Sequence, residues 1–349
     1  MNFRTHPYRT VSLLIVAVLA FWTLVAYGVG LVWDKVFGPQ APTSLPAPWP
    51  SAGGSAVRTV PLPTGEMMAA LPFRTAADAL CTAIPEQTWS KLLGGPVALE
   101  IDGQGSCHVV TATLSLRAHL ASAADDIVIG ARRPVTVAGH RATLTGDQGA
   151  ADAKLSVTIA DAAPTTWVDP ELTFALTRHP AADPDTDLLA LVQGIGNAVV
   201  PAVTAPGPSL PRVVANALPP RQVSSVPGIG IADSALPMAA WQLCTQLAQT
   251  LGRPITDTQP RPDGSCDTQS GAILASASYS PPAWSDKEQS WPDSVAGRPA
   301  RFDGTTVVVK LRDDSDQSVQ IRYSVARSHN ERQDLQDFAD RMMPPLLGR

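Results

Sequence analysis

The sequence predicts an α+β fold, in which a domain made of helices and an antiparallel sheet occurs as a tandem repeat behind one N-terminal transmembrane helix. Three observations predict it. An uncharged apolar run occupies residues 11–33. The motif V-A-G-x-x-A occurs at 137–142 and again at 295–300. Four cysteines stand at matching places in the two halves of a chain of 349 residues, which has room for about two domains of roughly 150 residues each.

The first element is the apolar run at 11–33. A helix of about 20 apolar residues spans a bilayer, whereas the apolar part of a cleaved signal peptide has only ~7–15 residues. A cleaved signal is the alternative interpretation. Arg4 and Arg9 precede the run, and a positively charged flank stays in the cytoplasm. We therefore expect a single-pass protein of the cell membrane, with a cytoplasmic tail at 1–10 and the remaining chain extracytoplasmic.

Prolines mark the connections between the folded regions. The chain has 33 prolines, and many of them fall within residues 34–71 and 201–234. Proline-rich segments are extended and semi-rigid, so the first segment is predicted to be a stalk and the second a linker. They delimit two extracytoplasmic regions, repeat 1 at 72–200 and repeat 2 at 235–349.

The two regions share the same order of features. Each opens with a helical pattern that contains L-C-T, at 80–82 and at 243–245, and a glycine then ends the helical stretch, at Gly94 and at Gly252. Each continues to G-S-C, then to alternating apolar positions typical of strands, then to V-A-G-x-x-A. A pair of strand patterns and a closing helix follow in both. The shared order indicates a duplicated domain, in which the glycine of V-A-G makes a turn and the final alanine faces the core.

The cysteines follow the duplication. Four cysteines allow three pairings, and the repeat selects Cys81 with Cys107 and Cys244 with Cys266. Thiols outside the membrane persist as disulfides, each stabilising the fold by about 3 kcal/mol. The alternative is a redox or metal site. It lacks support, because the chain has no C-x-x-C and no matched histidine.

A search for chemistry finds no G-x-S-x-G, H-E-x-x-H or phosphate-binding loop. We therefore predict no catalytic, cofactor-binding or metal-binding residues. The acidic run at 312–316 is expected to be a solvated hairpin turn, with a calcium loop as the alternative. Trp284 and Trp291 are candidate partner contacts in an irregular stretch, with core packing as the alternative.

The charge of the chain excludes one class of partner. Lys and Arg total 26 and Asp and Glu total 31, and the basic residues form no stripe. Phosphate backbones are bound by clustered cations, so no nucleic acid partner is expected.

The order of features resembles a family of actinobacterial cell-envelope domains of unknown function, the DUF3558-like group. The resemblance lies in Cys81, Cys107 and V-A-G-H-R-A, and in Cys244, Leu251-Gly252, Cys266 and V-A-G-R-P-A. It covers both repeats but neither the anchor nor the linkers. The chain departs from the family in its retained anchor, its second copy and its lack of further cysteines. The resemblance implies the cell envelope and supplies no catalytic residue.

Three functions are open at this point. The leading hypothesis is a non-enzymatic binding or accessory role in an envelope assembly for secretion, transport or cell-wall maintenance. The alternative is a carrier or sensor of a lipid or other apolar ligand, held between helices and sheet. The third is an uncharacterised hydrolase.

Overall fold

The computed structural model describes residues 54–102, 104–121, 130–160, 170–180, 183–225, 227–228, 230–270, 273–280, 290–313, 317–325 and 329–349. The predicted cytoplasmic tail and transmembrane helix lie outside these residues, as do Trp284 and the first part of the predicted stalk. Within the described ranges, no helix combines the length and apolar character that a membrane span requires.

Repeat 1 and the segment before it form a helix-and-sheet unit. Its elements are a 3₁₀ helix at Gly65–Ala70, helices α1 (Phe73–Thr82), α2 (Glu86–Leu92) and α3 (Leu188–Val203), and strands β1 (Ala98–Ile101), β2 (Cys107–Val110), β3 (Leu114–Ala121), β4 (Arg132–Val137), β5 (His140–Thr145), β6 (Asp152–Thr158) and β7 (Glu171–Arg178).

Repeat 2 forms a second unit of the same kind. Its elements are helices α4 (Leu236–Leu251) and α5 (Glu331–Leu346), a 3₁₀ helix at Ile255–Asp257, and strands β8 (Thr258–Pro260), β9 (Ser265–Ser270), β10 (Ile273–Ser280), β11 (Asp293–Val295), β12 (Arg298–Asp303), β13 (Thr306–Lys310) and β14 (Ser318–Val325).

The two sheets have the same strand order. Sheet 1 runs β1-β2-β3-β7-β6-β5-β4 and sheet 2 runs β8-β9-β10-β14-β13-β12-β11. Every neighbouring pair is antiparallel. The predicted α+β class with antiparallel sheets is therefore confirmed, and the two sheets correspond strand for strand.

The helices cover one face of each sheet in equivalent places. Helix α1 packs on β1–β3 and α3 on β4–β7, while α4 packs on β8–β10 and α5 on β11, β13 and β14. Buried apolar side chains from helices and strands form one core cluster in each unit. Gly196 in α3 allows a close approach to β6, because a Cβ at this position would lie 2.4 Å from Leu155 Cδ2. In repeat 2, the Phe338 ring stacks on Tyr323 with centroids 4.2 Å apart.

Local sequence signals account for several helix ends. Asp187 caps α3 by accepting hydrogen bonds from the backbone N–H groups of Leu189 and Ala190. Helix α4 ends at Gly252 in the left-handed conformation, which glycine adopts without steric cost. This is the position at which the sequence predicts the helix to stop.

The V-A-G-x-x-A motif is a hairpin turn in both repeats. Its alanine and glycine both have positive φ, at 50° and 86° in repeat 1 and at 51° and 75° in repeat 2. Two consecutive left-handed residues form the turn that best matches the twist of an antiparallel hairpin. The final alanines, Ala142 and Ala300, are buried. The predicted turn and inward-facing alanine are present in both copies.

Each repeat contains the disulfide that the duplication predicts. Cys81 is joined to Cys107 and Cys244 to Cys266, with a Cα–Cα distance of 5.3 Å in both. Each bond ties the first helix of the repeat to the second strand of its sheet. The disulfides therefore hold the same two elements together in both units.

The described end of the predicted stalk differs from an extended spacer. Residues 54–71, named strap 1 here, pack against repeat 1, and Val60, Met68 and Leu71 are buried in its core. The described residues within 217–234, named strap 2, do the same for repeat 2 through Ile231 and Ala232. The prolines in these segments end regular structure, while the apolar residues between them still bury their side chains.

Candidate functional site

The two straps occupy equivalent places, 163 residues apart, which is also the spacing between Cys81 and Cys244. The backbone N–H of Ser55 donates to the carbonyl of Ile101 at the end of β1, at 2.8 Å. The backbone N–H of Leu218 donates to the carbonyl of Pro260 at the end of β8, also at 2.8 Å. Each strap therefore extends the outer edge of its own sheet before it reaches the first helix.

Strap 1 brings an arginine onto a buried carboxylate of α1. Asp78 Oδ1 accepts a hydrogen bond from the backbone N–H of Arg58 at 3.0 Å, and Oδ2 accepts from Arg58 Nε at 3.0 Å. Arg74 Nε lies 3.5 Å from the same Oδ2. The Asp78 side chain is 0% exposed. A buried carboxylate is tolerated only when it is paired and hydrogen-bonded, and here both oxygens are engaged.

Strap 2 brings an arginine to the same place on α4 but meets a different residue. Arg221 and Trp241 are the counterparts of Arg58 and Asp78 at the same spacing. The Arg221 guanidinium lies 5.4 Å from the Trp241 ring centroid, a cation–π distance. The indole Nε1 donates to the carbonyl of Pro219 in strap 2 at 3.0 Å. The equivalent contact is thus an ion pair in repeat 1 and an aromatic contact in repeat 2.

The ion pair of repeat 1 extends into repeat 2 through Asp233. Arg58 Nη2 lies 3.4 Å from Asp233 Oδ1, and the Thr75 hydroxyl donates to the same oxygen at 3.3 Å. Arg312, from the segment after β13, lies 2.8 Å from Asp233 Oδ2. The Asp233 side chain is 5% exposed. Strap 1, α1, strap 2 and the segment after β13 therefore meet around two buried carboxylates, Asp78 and Asp233, in a network that we call the junction cluster.

A layer of neutral hydrogen bonds lies beside these charges. Gln317 Nε2 donates to the hydroxyl oxygen of Tyr279 at 2.8 Å and to the carbonyl of Ala232 at 2.9 Å. The Tyr279 hydroxyl donates to the same carbonyl at 2.7 Å. Burial raises the pKa of Tyr279 well above its ordinary value, and the charge of Asp233 raises this pKa further. Tyr279 therefore remains a neutral hydrogen-bond donor.

The junction cluster is suited to holding two units in one orientation. Asp78 and Asp233 share Arg58, and each also binds a further arginine. Apolar contacts accompany the charges, because Ala235 and Met238 at the start of α4 pack against the core of repeat 1. Carboxylates enclosed by guanidinium groups are poorly placed to act as general bases, since their oxygens are already engaged. The arrangement is that of an interface between domains.

An open cleft of about 390 Å³ lies at the V-A-G turn of repeat 1. It is formed by the turn and start of β5, the end of β6, strap 1 and the segment after α3. Its lining includes Glu66, His140, Arg141, Thr158 and Pro206. One oxygen of Glu66 accepts the backbone N–H of Leu210 at 2.9 Å, which fixes the carboxylate beside the cleft.

The equivalent place in repeat 2 is occupied by a side chain. Arg349 Nη1 donates to the carbonyl of Ala296 in the V-A-G turn at 3.1 Å. Asp340 in α5 accepts the backbone N–H of Ala296 at 2.6 Å. The turn of repeat 2 is therefore bound by polar groups of its own unit at the place where repeat 1 has the cleft.

Trp291, a predicted partner contact, lies on the outer face of sheet 2. Its ring centroid is 5.7 Å from the Arg301 guanidinium and 5.9 Å from Lys310 Nζ. These residues alternate with the buried Ala300 and Val309, so they point away from the helices. Trp291 is half-buried there, outside the helix–sheet core. Trp284 is among the residues that the structure does not describe.

Two residues of types that can bind metal ions, His108 and Asp313, have local partners. His108 lies between Glu100 at 3.1 Å and Ser115 at 2.7 Å on sheet 1. Asp313 of the acidic run pairs with Arg298 at 2.9 Å, and the rest of that run lies outside the described residues. Across the parts of the chain that the structure describes, no three His, Cys, Asp or Glu side chains are grouped to hold a metal ion.

The junction cluster was missed by reasoning from the sequence alone. Arg58 and Asp233 lie in segments predicted to be stalk and linker, and Asp78 sits in a helical pattern where a carboxylate normally faces solvent. One signal was present. Arg-x-Val occurs at 58–60 and again at 221–223, with the same 163-residue spacing as the first cysteines of the repeats.

No family model, curated protein or solved structure matches the chain.

Proposed function

We propose that this chain is a membrane-anchored envelope protein whose extracytoplasmic part is a duplicated, non-enzymatic binding module. Its two repeats are held in one orientation and present a composite surface to a partner protein of an envelope assembly. The anchor is residues 11–33, and the resemblance to DUF3558-like domains favours the envelope. Both remain predictions from the sequence.

The observation that carries the proposal is the junction cluster around Asp233. Two domains joined by a free linker lose orientational freedom when both bind one partner. Domains that are already fixed avoid this loss and bind more tightly for the same contacts. A buried ionic network is costly to form, because each charge must be removed from water. Its presence between the repeats favours a function that needs their relative orientation.

The alternative, a carrier of an apolar ligand between helices and sheet, has less support. It requires space in the helix–sheet cores. In repeat 1, α3 approaches β6 closely at Gly196, and in repeat 2 the Phe338 and Tyr323 rings stack in the corresponding layer. The described cleft at the V-A-G turn is open and lined by polar groups, which suits a peptide better than an acyl chain.

The test is purification of the full-length protein from its native membrane in mild detergent, followed by mass spectrometry of what remains bound. Three forms are compared: wild type, Asp233→Ala and Asp267→Ala. Asp267 is the matched control, because it pairs with Arg261 on the surface with its side chain 40% exposed. We expect one partner protein with wild type and Asp267→Ala, and its loss with Asp233→Ala.

Two outcomes contradict the proposal. A lipid in place of a protein partner would favour the carrier. Full retention of the partner by Asp233→Ala, in a sample whose repeats have lost their fixed orientation, would show that this orientation is not used. Thermal unfolding of each variant identifies a partner loss that results from unfolding alone.

A further inference from the structure

We propose that the cleft at the V-A-G turn of repeat 1 binds an arginine side chain from an extended segment of a partner protein. The inference names a ligand for the binding role above and rests on that role. It comes from a comparison of the two repeats. The position beside the V-A-G turn is filled by a side chain in repeat 2 and is open in repeat 1.

The first step is that the cleft wall formed by strap 1 and the end of α3 has a counterpart in repeat 2, formed by strap 2 and the end of α5. Strap 1 approaches the end of α3 where the backbone N–H of Gly65 donates to the carbonyl of Ala205. Strap 2 approaches the end of α5 where the backbone N–H of Gly228 donates to the carbonyl of Gly348. Gly65 and Gly228 both have positive φ. By this alignment, Pro206 of repeat 1 is the counterpart of Arg349 in repeat 2.

The second step is what Arg349 does. Its guanidinium donates to the turn carbonyl of Ala296 and lies close to the next residue, since a Cβ on Gly297 would be 3.7 Å from Nη1. The glycine leaves the turn open on this side. The V-A-G turn is thus an acceptor for a guanidinium in repeat 2, and repeat 1 has the same turn with the same pair of left-handed residues.

The third step is that repeat 1 has a proline, Pro206, at the position that Arg349 occupies in repeat 2. Pro206 has no side-chain donor and is exposed at the edge of the cleft. The cleft has a volume of about 390 Å³, which is in the ordinary range of ligand sites. Gly139 and Thr158 line the cleft beside the turn.

The fourth step concerns charge. Glu66 is the acidic residue in the described lining, and its Oε2 is held by the backbone of Leu210. A carboxylate held in place pairs well with a planar guanidinium, which offers donors in a fixed fork, whereas an ammonium group lacks this geometry. Arg141 also lines the cleft, and its positive charge limits the site to one cationic group by repelling a second one. We therefore expect selection for arginine over lysine.

The test is a calorimetric titration of the full-length protein in detergent with the peptide acetyl-Leu-Gly-Arg-amide. Wild type should bind one equivalent. Arg349→Ala empties the equivalent position and should bind two. Pro206→Arg fills the cleft from within the chain and should bind none. Glu66→Gln should weaken binding at the cleft at least about tenfold, as should exchange of the peptide arginine for lysine.

Folding does not confound this test, because Pro206 and Arg349 are both exposed and each variant is checked against the wild-type melting temperature. Absence of binding to wild type would overturn the inference. So would equal binding of peptides ending in arginine and lysine, or preference for a peptide ending in glutamate, which would indicate Arg141 as the recognising group. If the peptide fails while partner recovery still depends on Asp233, the cleft inference falls and the proposed function remains.

Discussion

The contact between Arg58 and Asp78 occupies the same structural position as the contact between Arg221 and Trp241. The first is an ion pair and the second is a cation–π contact. In both repeats a strap places an arginine over the first helix. In repeat 1 the helix residue is a buried aspartate that shares its arginine with Asp233 of strap 2. In repeat 2 it is a tryptophan whose indole N–H and ring contact Pro219 and Arg221 of its own strap. In both repeats this contact holds the strap against the first helix. In repeat 1 the same contact also joins the two repeats, because Arg58 binds Asp233 as well.

The largest expected effect comes from breaking this contact in repeat 1. Asp78→Ala leaves Arg58 buried beside one remaining carboxylate, and loss of one partner of a buried ion pair destabilises by about 3–5 kcal/mol. The counterpart change Trp241→Phe keeps a smaller aromatic ring and removes the indole hydrogen bond, which together cost about 1–2 kcal/mol. Urea unfolding of both variants measures the difference. Equal losses would show that the ion pair stabilises no more than the aromatic contact.

The disulfides should behave alike in the two repeats. They close loops of similar length, with sequence separations of 26 and 22. The double change Cys81→Ser with Cys107→Ser should therefore cost about 3 kcal/mol, and so should Cys244→Ser with Cys266→Ser. Denaturant unfolding without reductant gives both values. A loss confined to one repeat would mean that the two units depend differently on their cross-links.

A third comparison uses two equivalent glycines in the straps. A Cβ on Gly65 would lie 2.4 Å from the Pro208 carbonyl oxygen, whereas a Cβ on Gly228 would meet nothing within 4 Å. Both have left-handed φ, which costs other residues about 1–2 kcal/mol. Gly65→Ala should lose about 2–3 kcal/mol and Gly228→Ala about 1 kcal/mol, because only the first adds a backbone clash. Thermal unfolding distinguishes them, and a larger loss at Gly228 would contradict the strap geometry.

The smallest effect concerns alkaline pH. The folded pKa of Tyr279 is raised, so its stabilising contribution is complete below the unfolded pKa of 10.0 and declines above it. Above that pH the unfolded chain loses a proton that the folded protein keeps, and stability falls by about 1.4 kcal/mol per pH unit. Tyr279→Phe should reduce this slope between about pH 10 and 12. An unchanged slope in chemical unfolding would show that Tyr279 ionises freely in the fold.

The features predicted from sequence are those that repeat in regular patterns. The disulfide partners, the inward alanine of the V-A-G turn and the helix stop at Gly252 all depend on local conformation or on matched spacing. The sequence predicts extended segments at the straps because proline breaks helix and sheet patterns, whereas Val60 and Met68 are buried in the structure. The junction cluster depends on residues as far apart as Arg58 and Asp233, and chain order alone does not show that they meet.

The most direct test of the fixed orientation is a distance measurement by electron paramagnetic resonance on the full-length protein in detergent. Spin labels at the exposed Arg132 in repeat 1 and the exposed Gln320 in repeat 2 are introduced through non-canonical residues, because all four cysteines form disulfides. We predict one narrow distance distribution for the otherwise wild-type chain and a broad one when Asp233→Ala is added. A broad distribution with Asp233 in place would contradict the account.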